Sequence, residues 1–279
     1  MKPSHPVPPR ILSIAGSDSS GGAGIQADIK TITMLGGYAM TAITAVTAQN
    51  SIGVQGITPL DGEFVATQIR SCVDDIGVDA IKIGMLQNAD IIGHVARALE
   101  ELPGTPPIIL DPVMVATSGA RLLEDAAVDV MRAELFPLAT MLTPNLPELE
   151  LLAGRELRDT HLARAAAQEL AEAHDCAVLA KGGHTGDPES EDAQVIDLLQ
   201  MPGGSMASFT DARIYTRNTH GTGCTLSSAI ATLLGHGQSV EHSVRLARQF
   251  VREGIWKAPD FGEGAGPLGH AAVRLKGDD

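Results

Sequence analysis

Short runs rich in Ile, Val, Leu and Thr alternate along the chain with longer segments whose apolar residues recur every three to four positions. Ile11–Ala15 has the continuous apolar character of a buried strand and stops at Gly16, and helical spacing follows over 24–35. Thr41–Ala48 predicts a second strand. In Asp61–Ile76 the residues Val65, Ile69, Cys72 and Ile76 form a helical stripe. Ala80–Ile83 and Ile108–Leu110 predict short strands with a helix over Asp90–Leu102 between them. Thr140–Leu142 and Ala177–Ala180 repeat that theme around an Ala-rich helix at Leu162–His174. Val195–Leu199, Met206–Phe209 and Arg213–Tyr215 predict strands in succession, and Thr222–Leu234 and Val240–Trp256 predict helices. Strands alternating with crossover helices imply a mostly parallel sheet covered on both faces, an α/β fold of three α/β/α layers. We read one domain over residues 1–279, with a disorder-prone start at 1–9 and a Gly/Pro loop at 259–269. In such sheets ligands sit at the C-terminal ends of the strands.

Composition narrows the partners. Acidic residues outnumber basic ones by 34 to 20, a net charge of −14, with no basic run to attract nucleic acid or anionic lipid. The eight aromatics (five Phe, two Tyr, one Trp) are too few for a base-stacking platform. Thr31–Leu60 carries no charge, but Gly36, Gly37, Asn50, Gly53 and Pro59 interrupt it, so it predicts a buried core element and not a membrane span. Residues 1–10 lack the apolar stretch of a signal peptide. Three cysteines without CxxC spacing point to a reducing, cytoplasmic setting.

Three segments carry candidate chemistry. Gly16-Ser-Asp-Ser-Ser-Gly-Gly-Ala-Gly24 follows the first strand. It has the glycine spacing of a Walker A loop, but Gly22 stands where the lysine belongs. Gly22-Ala-Gly24-Ile-Gln-Ala27 matches a dinucleotide fingerprint formally, yet no acidic residue follows in Thr41–Asn50 to hold a ribose. A tight turn that only lets helix and strand pack is the alternative to a ligand-facing loop. Just beyond, Asp28 suits a helix's first turn, and Gln49, ending the second strand, offers a carboxamide to a hydrogen-bonding ring.

The second segment is Asn218-Thr-His-Gly-Thr-Gly-Cys-Thr-Leu-Ser227. Gly221, Thr222 and Gly223 lead into a helix, where amides and the helix dipole make an anion hole for a transferring phosphoryl group. That field would lower the pKa of Cys224, making it a partly ionised base or a hydrogen-bond acceptor. Cys72 and Cys176 suit small buried fillers.

The third comprises Asp111 after a strand and, further on, Asn145 with Glu148. These offer three oxygen ligands to Mg²⁺, and Asn145-x-x-Glu148 is equally a capping box. Lys181, in Lys181-Gly-Gly-His184, adds one cation suited to phosphate.

In order along the chain, AGSDSSGGAGIQADIK (15–30), TAVTAQN (44–50), KIGML (82–86), LDPVMVATSG (110–119), LTPNLPE (142–148), KGGH (181–184) and NTHGTGCTLS (218–227) resemble the hydroxymethylpyrimidine kinase / phosphomethylpyrimidine kinase family of thiamine biosynthesis, within the ribokinase-like superfamily. The resemblance runs from about Ile11 to Gly269. It implies a ribokinase-like sandwich, usually a homodimer, that uses ATP and Mg²⁺ to phosphorylate 4-amino-5-hydroxymethyl-2-methylpyrimidine and then its monophosphate. It further implies that Gln49, Asp28, Met85, Val113 and Gly16 surround the pyrimidine and that Cys224 lies beside its hydroxyl. Asp111, Asn145 and Glu148 would organise the metal, and Lys181 would lie on the nucleotide side. Two departures stand out. Thr117 and Glu263 occupy positions where many members carry lysine, which bears on the second phosphorylation; His220, Arg121 or Arg217 are candidate replacements. A pyridoxine/pyridoxal kinase and a non-catalytic pyrimidine sensor are the rival expectations.

Overall fold

The computed structural model describes residues 7–114, 123, 125–185 and 193–273. Its strands are β1 (Arg10–Ala15), β2 (Tyr38–Ile43), β3 (Ala45–Gln49), β4 (Val54–Pro59), β5 (Ala80–Ile83), β6 (Ile108–Leu110), β7 (Met141–Leu142), β8 (Ala177–Thr185), β9 (Gln194–Gln200) and β10 (Met206–Ala212). The helices are α1 (Gly24–Met34), α2 (Gly62–Asp75), α3 (Ala89–Glu100), α4 (Asp125–Glu134), α5 (Leu146–Ala153), α6 (Thr160–His174), α7 (Thr222–Gly235) and α8 (Val240–Trp256).

Eight strands form one sheet in the order β10-β9-β8-β7-β6-β5-β1-β2. It is parallel from β2 to β8, and β9 and β10 add antiparallel at one edge. The strands are apolar on both sides because both sides are covered. Leu12, Ile14, Ile81, Ile83 and Leu110 pack with α2, α3, α4 and α6. Their alternates Ile11, Ala80, Ile109 and Met141 pack with α1, α7 and α8. The expected three-layer α/β/α sandwich is therefore present, and the segments that follow β1, β6 and β7 open at one end of the sheet.

Two expectations change. Thr41–Ala48 is not one strand: the chain leaves the main sheet at Thr44, whose amide donates to Ala15 (3.1 Å) and whose hydroxyl donates to Met85 (2.6 Å). Beyond it β3 pairs with β4 as a separate two-stranded ribbon. The charge-free Thr31–Leu60 thus ends in a ribbon with Val46 and Ile52 exposed, not wholly in the core. Likewise Arg213–Tyr215 is no strand; β10 stops at Ala212. Among the described residues no helix is long and apolar enough to cross a membrane. Residues 1–6 of the expected N-terminal segment lie outside the described residues, as do Thr117 and Arg121.

Candidate active site

A cleft of about 730 Å³ lies at the C-terminal ends of the parallel strands, between the ribbon and the start of α7. The Gly-rich turn, the loop after β6, Asn145–Glu148, Lys181 and Gly221–Cys224 all line it. The Gly-rich turn, the loop after β6 and Asn145–Glu148 follow the ends of β1, β6 and β7, Lys181 comes from β8 and Gly221–Cys224 from the start of α7; at two points only glycine lets them close. A Cβ on Gly221 (φ 84°) would lie 1.9 Å from the Gly22 carbonyl oxygen, and one on Gly24 (φ 56°) would lie 2.4 Å from that of Gly16.

Gly221 is the left-handed N-cap of α7 and supplies no side-chain cap. Thr222 spends its amide on Thr219 through a long 3.3 Å bond. Among the described residues the amides of Gly221, Gly223 and Cys224 have no such backbone partner, and Thr225 is the first to bond back, to Gly221 (2.9 Å). A Cβ placed on Gly223 would stand 3.3 Å from Asp111 Oδ2 and 3.5 Å from Lys181 Nζ. Gly223, a carboxylate and an ammonium thus meet around one small volume at the positive end of a helix.

Asp111 accepts from Lys181 Nζ (2.7 Å) and from the Thr143 hydroxyl (2.9 Å) on one oxygen, leaving Oδ2 toward Gly223. Glu148 is buried, and that burial, with Asp111 adding repulsion against the pull of Lys181, raises its pKa to about 7. Asn145 and Glu148 form the expected capping box: Asn145 Oδ1 accepts from the Glu148 amide (2.9 Å) while Glu148 Oε2 accepts from the Asn145 amide (2.8 Å). The capping box engages one lone pair of Asn145 Oδ1 and one oxygen of Glu148, and both residues still line the cleft. Asp111 and Glu148 present carboxyl oxygens to the same side of the pocket, and such a donor pair fits a hydrated Mg²⁺ that also touches substrate phosphates. Among the described residues no group of three His, Cys, Asp or Glu converges on a point.

Gly16, Gln49, Met85 and Val113 line the cleft as expected. Asp28 does not. It is fully buried beneath the floor, where it accepts from Lys82 Nζ (2.9 and 3.1 Å), Ser13 (2.5 Å) and Ser228 (2.6 Å), so it cannot face a ring. Lys82, which sequence reasoning missed, reaches the cleft floor with no exposure of its own. Burial opposes its charge, but the carboxylates of Asp28 and Asp111 hold the ammonium firmly protonated. A lysine inside a four-residue buried strand was the available signal, because such a charge demands a partner.

Cys224 lines the cleft, but its ionisation is corrected. Burial, with Asp28 and Asp111 nearby, raises the thiol to about 11 despite Lys82 and the Gly24 amide, so near neutral pH it carries its proton. Cys176 is buried with its thiol also pushed up to about 11, and Cys72 is half-buried with its thiol raised, both as fillers.

The Gly-rich turn is not a phosphate loop, because Asp18 already fills it. Its carboxylate accepts from the amides of Ser20 (2.9 Å), Gly22 (3.0 Å) and Ala23 (2.7 Å), and from the Ser20 hydroxyl (2.8 Å). His220 Nε2 adds a contact at 2.8 Å. Of the cations proposed to replace the missing lysines, Arg217 is bound to Asp260 and the Gly262 carbonyl, and His220 is bound to Asp18. Glu263 lines a smaller recess beside the ribbon tip.

A model of the phosphomethylpyrimidine kinase family matches residues 18–269. The hydroxymethylpyrimidine/phosphomethylpyrimidine kinase of Streptomyces coelicolor is 48% identical over 96% of this chain and 97% of its own length. A bifunctional thiamine biosynthesis protein of Geobacter sulfurreducens is 44% identical, and the chain spans about half (52%) of that protein. Among solved structures, the ADP complex of Bacillus subtilis pyridoxal kinase superposes with a TM-score of 0.86 at 36% identity, covering 97% of this chain and all of that one. The phosphomethylpyrimidine kinase of Clostridium difficile superposes at 0.76 and 35%, covering 88% of this chain and 99% of that one. With its sandwich, its amide-lined turn and this near-full-length match, the chain belongs to the phosphomethylpyrimidine kinase family of ribokinase-like kinases.

Proposed function

We propose that the chain moves the γ-phosphoryl group of ATP onto the hydroxymethyl oxygen of 4-amino-5-hydroxymethyl-2-methylpyrimidine, and then phosphorylates the resulting monophosphate, in thiamine biosynthesis. The observation that carries this reading is the meeting of the Gly221–Cys224 amides, Asp111 and Lys181 in one cleft. Phosphoryl transfer needs positioning and charge neutralisation more than covalent help.

The pyrimidine lies against Gln49, with Gly16, Met85 and Val113 around it, and its hydroxyl points to Cys224. The neutral thiol orients that oxygen by accepting a hydrogen bond. As the oxygen–phosphorus bond forms and the bond to the ADP oxygen breaks, charge on the phosphoryl oxygens is met by the free amides and the Lys181 ammonium. The hydroxyl proton departs to a phosphoryl oxygen or to water. Asp111 and Glu148 would hold Mg²⁺, which when bound neutralises and orients the nucleotide phosphates. Assembly as a homodimer belongs to the same reading.

Incubation with Mg²⁺-ATP and the pyrimidine, followed by phosphorus NMR, tests it: monophosphate first, pyrophosphate second, with matching ADP. No ADP would favour a pyrimidine sensor. A second reading, pyridoxal phosphorylation, draws on the close superposition with pyridoxal kinase. A strong preference for the pyridine alcohol in side-by-side turnover would replace the pyrimidine assignment.

A further inference from the structure

His220 (6% exposed) and Asp18 (1% exposed) form a buried pair that no catalytic step above uses, yet the ring of His220 touches Gln49. Three contacts meet there. His220 Nε2 lies 2.8 Å from Asp18 Oδ2 and 3.3 Å from Gln49 Nε2. Gln49 Oε1 lies 3.3 Å from the Thr47 hydroxyl, which is 2.9 Å from the Ser17 carbonyl, and the proton count at both ends calls for these two carboxamide atoms to be exchanged. Oxygen and nitrogen of a carboxamide are distinguished by their partners, so these neighbours decide its orientation.

Both ends give the same answer. Burial opposes charge on Asp18, but bonds from His220, Ser20 and Ala23 outweigh it and hold the carboxyl below its ordinary range. As an ionised acceptor it requires the proton of the short contact to sit on His220 Nε2. That N–H can only donate; held chiefly by Asp18, it is shared with the carboxamide at the longer distance, so the end facing it is the oxygen. At the other end the Thr47 hydroxyl has one proton, committed to the nearer Ser17 carbonyl, so it can only accept, and the group facing it is the amide nitrogen. The opposite orientation would set N–H against N–H at His220 and leave Thr47 facing a second acceptor.

We infer that the Asp18–His220 pair, together with Thr47, locks the Gln49 carboxamide with its oxygen on the His220 side, and thereby selects an aminopyrimidine edge. So locked, Gln49 has one N–H left on the Thr47 side and an oxygen lone pair on the His220 side. An aminopyrimidine offers the matching pair, a ring nitrogen acceptor beside an amino donor, and docks with its amino group toward His220. A pyridine alcohol bearing a phenolic hydroxyl and no amino group lacks that pair. Asp18 and His220 are positioning residues, acting through Gln49. The inference rests on the placement of the pyrimidine against Gln49.

Steady-state kinetics of His220→Phe, His220→Gln and Thr47→Val test it, with pyrimidine and pyridine alcohols as paired substrates. His220→Phe keeps a flat ring and loses the donor; the pyrimidine KM should rise roughly tenfold, as for one lost hydrogen bond. The kcat and the ATP KM should stay within about twofold, as for lost ground-state positioning. The preference for pyrimidine over pyridine should fall by the same factor as the KM rises. His220→Gln supplies an N–H and should recover most of the affinity, and Thr47→Val should weaken the pyrimidine alone. An unchanged pyrimidine KM in His220→Phe, an equal loss for both alcohols and ATP, or no recovery in His220→Gln would overturn the inference. Gln49→Ala separates the layers. If it raises the pyrimidine KM while His220→Phe does not, only the locking role falls. If it leaves the KM unchanged, the placement of the pyrimidine falls and the locking role with it.

Discussion

The buried ion pair beneath the cleft yields the sharpest energetic prediction. Lys82 and Asp28 are both fully buried, with Nζ 2.9 and 3.1 Å from the two carboxylate oxygens. Lys82→Met keeps the length of the side chain and removes the charge. Asp28 would then keep only the Ser13 and Ser228 hydroxyls while remaining out of reach of water. Stranding one partner of a buried pair costs about 3–5 kcal/mol. That is a large part of the roughly 5–15 kcal/mol that holds a typical domain together. For a chain of this size the melting temperature should fall by roughly 10 °C. Lys82→Met/Asp28→Asn removes both charges and should recover most of the loss. The same substitution removes the cation that holds the Cys224 thiol down, so it should ionise still less readily. Thermal melts and peptide-resolved alkylation of Cys224 at alkaline pH read the two effects, with Cys224 reacting more slowly in the single variant. An unchanged melting temperature with unchanged alkylation would refute the reasoning, and a double variant as unstable as the single would show that charge is not the cause.

Two further outcomes follow from buried groups. Cys224→Ser, which keeps an acceptor for the substrate hydroxyl, should retain much of kcat, whereas Cys224→Ala should lose roughly tenfold, as for one orienting hydrogen bond, with ATP affinity intact; equal turnover by both and the wild type would remove Cys224 from the reaction. His270 is buried against the Thr225 hydroxyl (2.8 Å), and burial, aided by Lys30, lowers its pKa to about 4. The unfolded chain therefore binds more protons between about pH 4 and 6.5, so this stability is complete above 6.5 and about 3 kcal/mol of it is lost as pH falls to 4. Denaturant titrations of His270→Asn should show a flatter pH dependence across that window, and an unchanged slope would contradict the assignment.

Much of the sheet was legible because its strands are apolar on both faces. Ala80–Ile83 and Ile108–Leu110 stand where the pattern put them. The split of Thr41–Ala48 was not legible, since no Gly or Pro marks it. The chain turns out of the sheet at Thr44 through bonds to Ala15 and Met85, distant in sequence. In the site, the glycine-led turn at 221–224 could be read because backbone geometry dictates its residue types. Asp28 could not, because facing a ligand or facing Lys82 depends on which side of α1 meets β5. The ionisation of Cys224 failed for a different reason: the helix-end field was weighed, but the loss of water and the two nearby carboxylates were not. Asp18 filling the Gly-rich turn was equally hidden, although an acid among glycines and serines suits such an internal cap.

The volume bounded by the Gly221–Cys224 amides, Asp111 and Lys181 is where phosphoryl transfer is assigned, and Gly223→Ala probes it directly. The added methyl would sit 3.3 Å from Asp111 Oδ2 and 3.5 Å from Lys181 Nζ, filling the path of the migrating group without entering the core. Quench-flow measurement of monophosphate formation should show a transfer rate reduced roughly 10²-fold or more, with pyrimidine affinity and melting temperature preserved. Transfer at the wild-type rate would show that the phosphoryl group passes elsewhere.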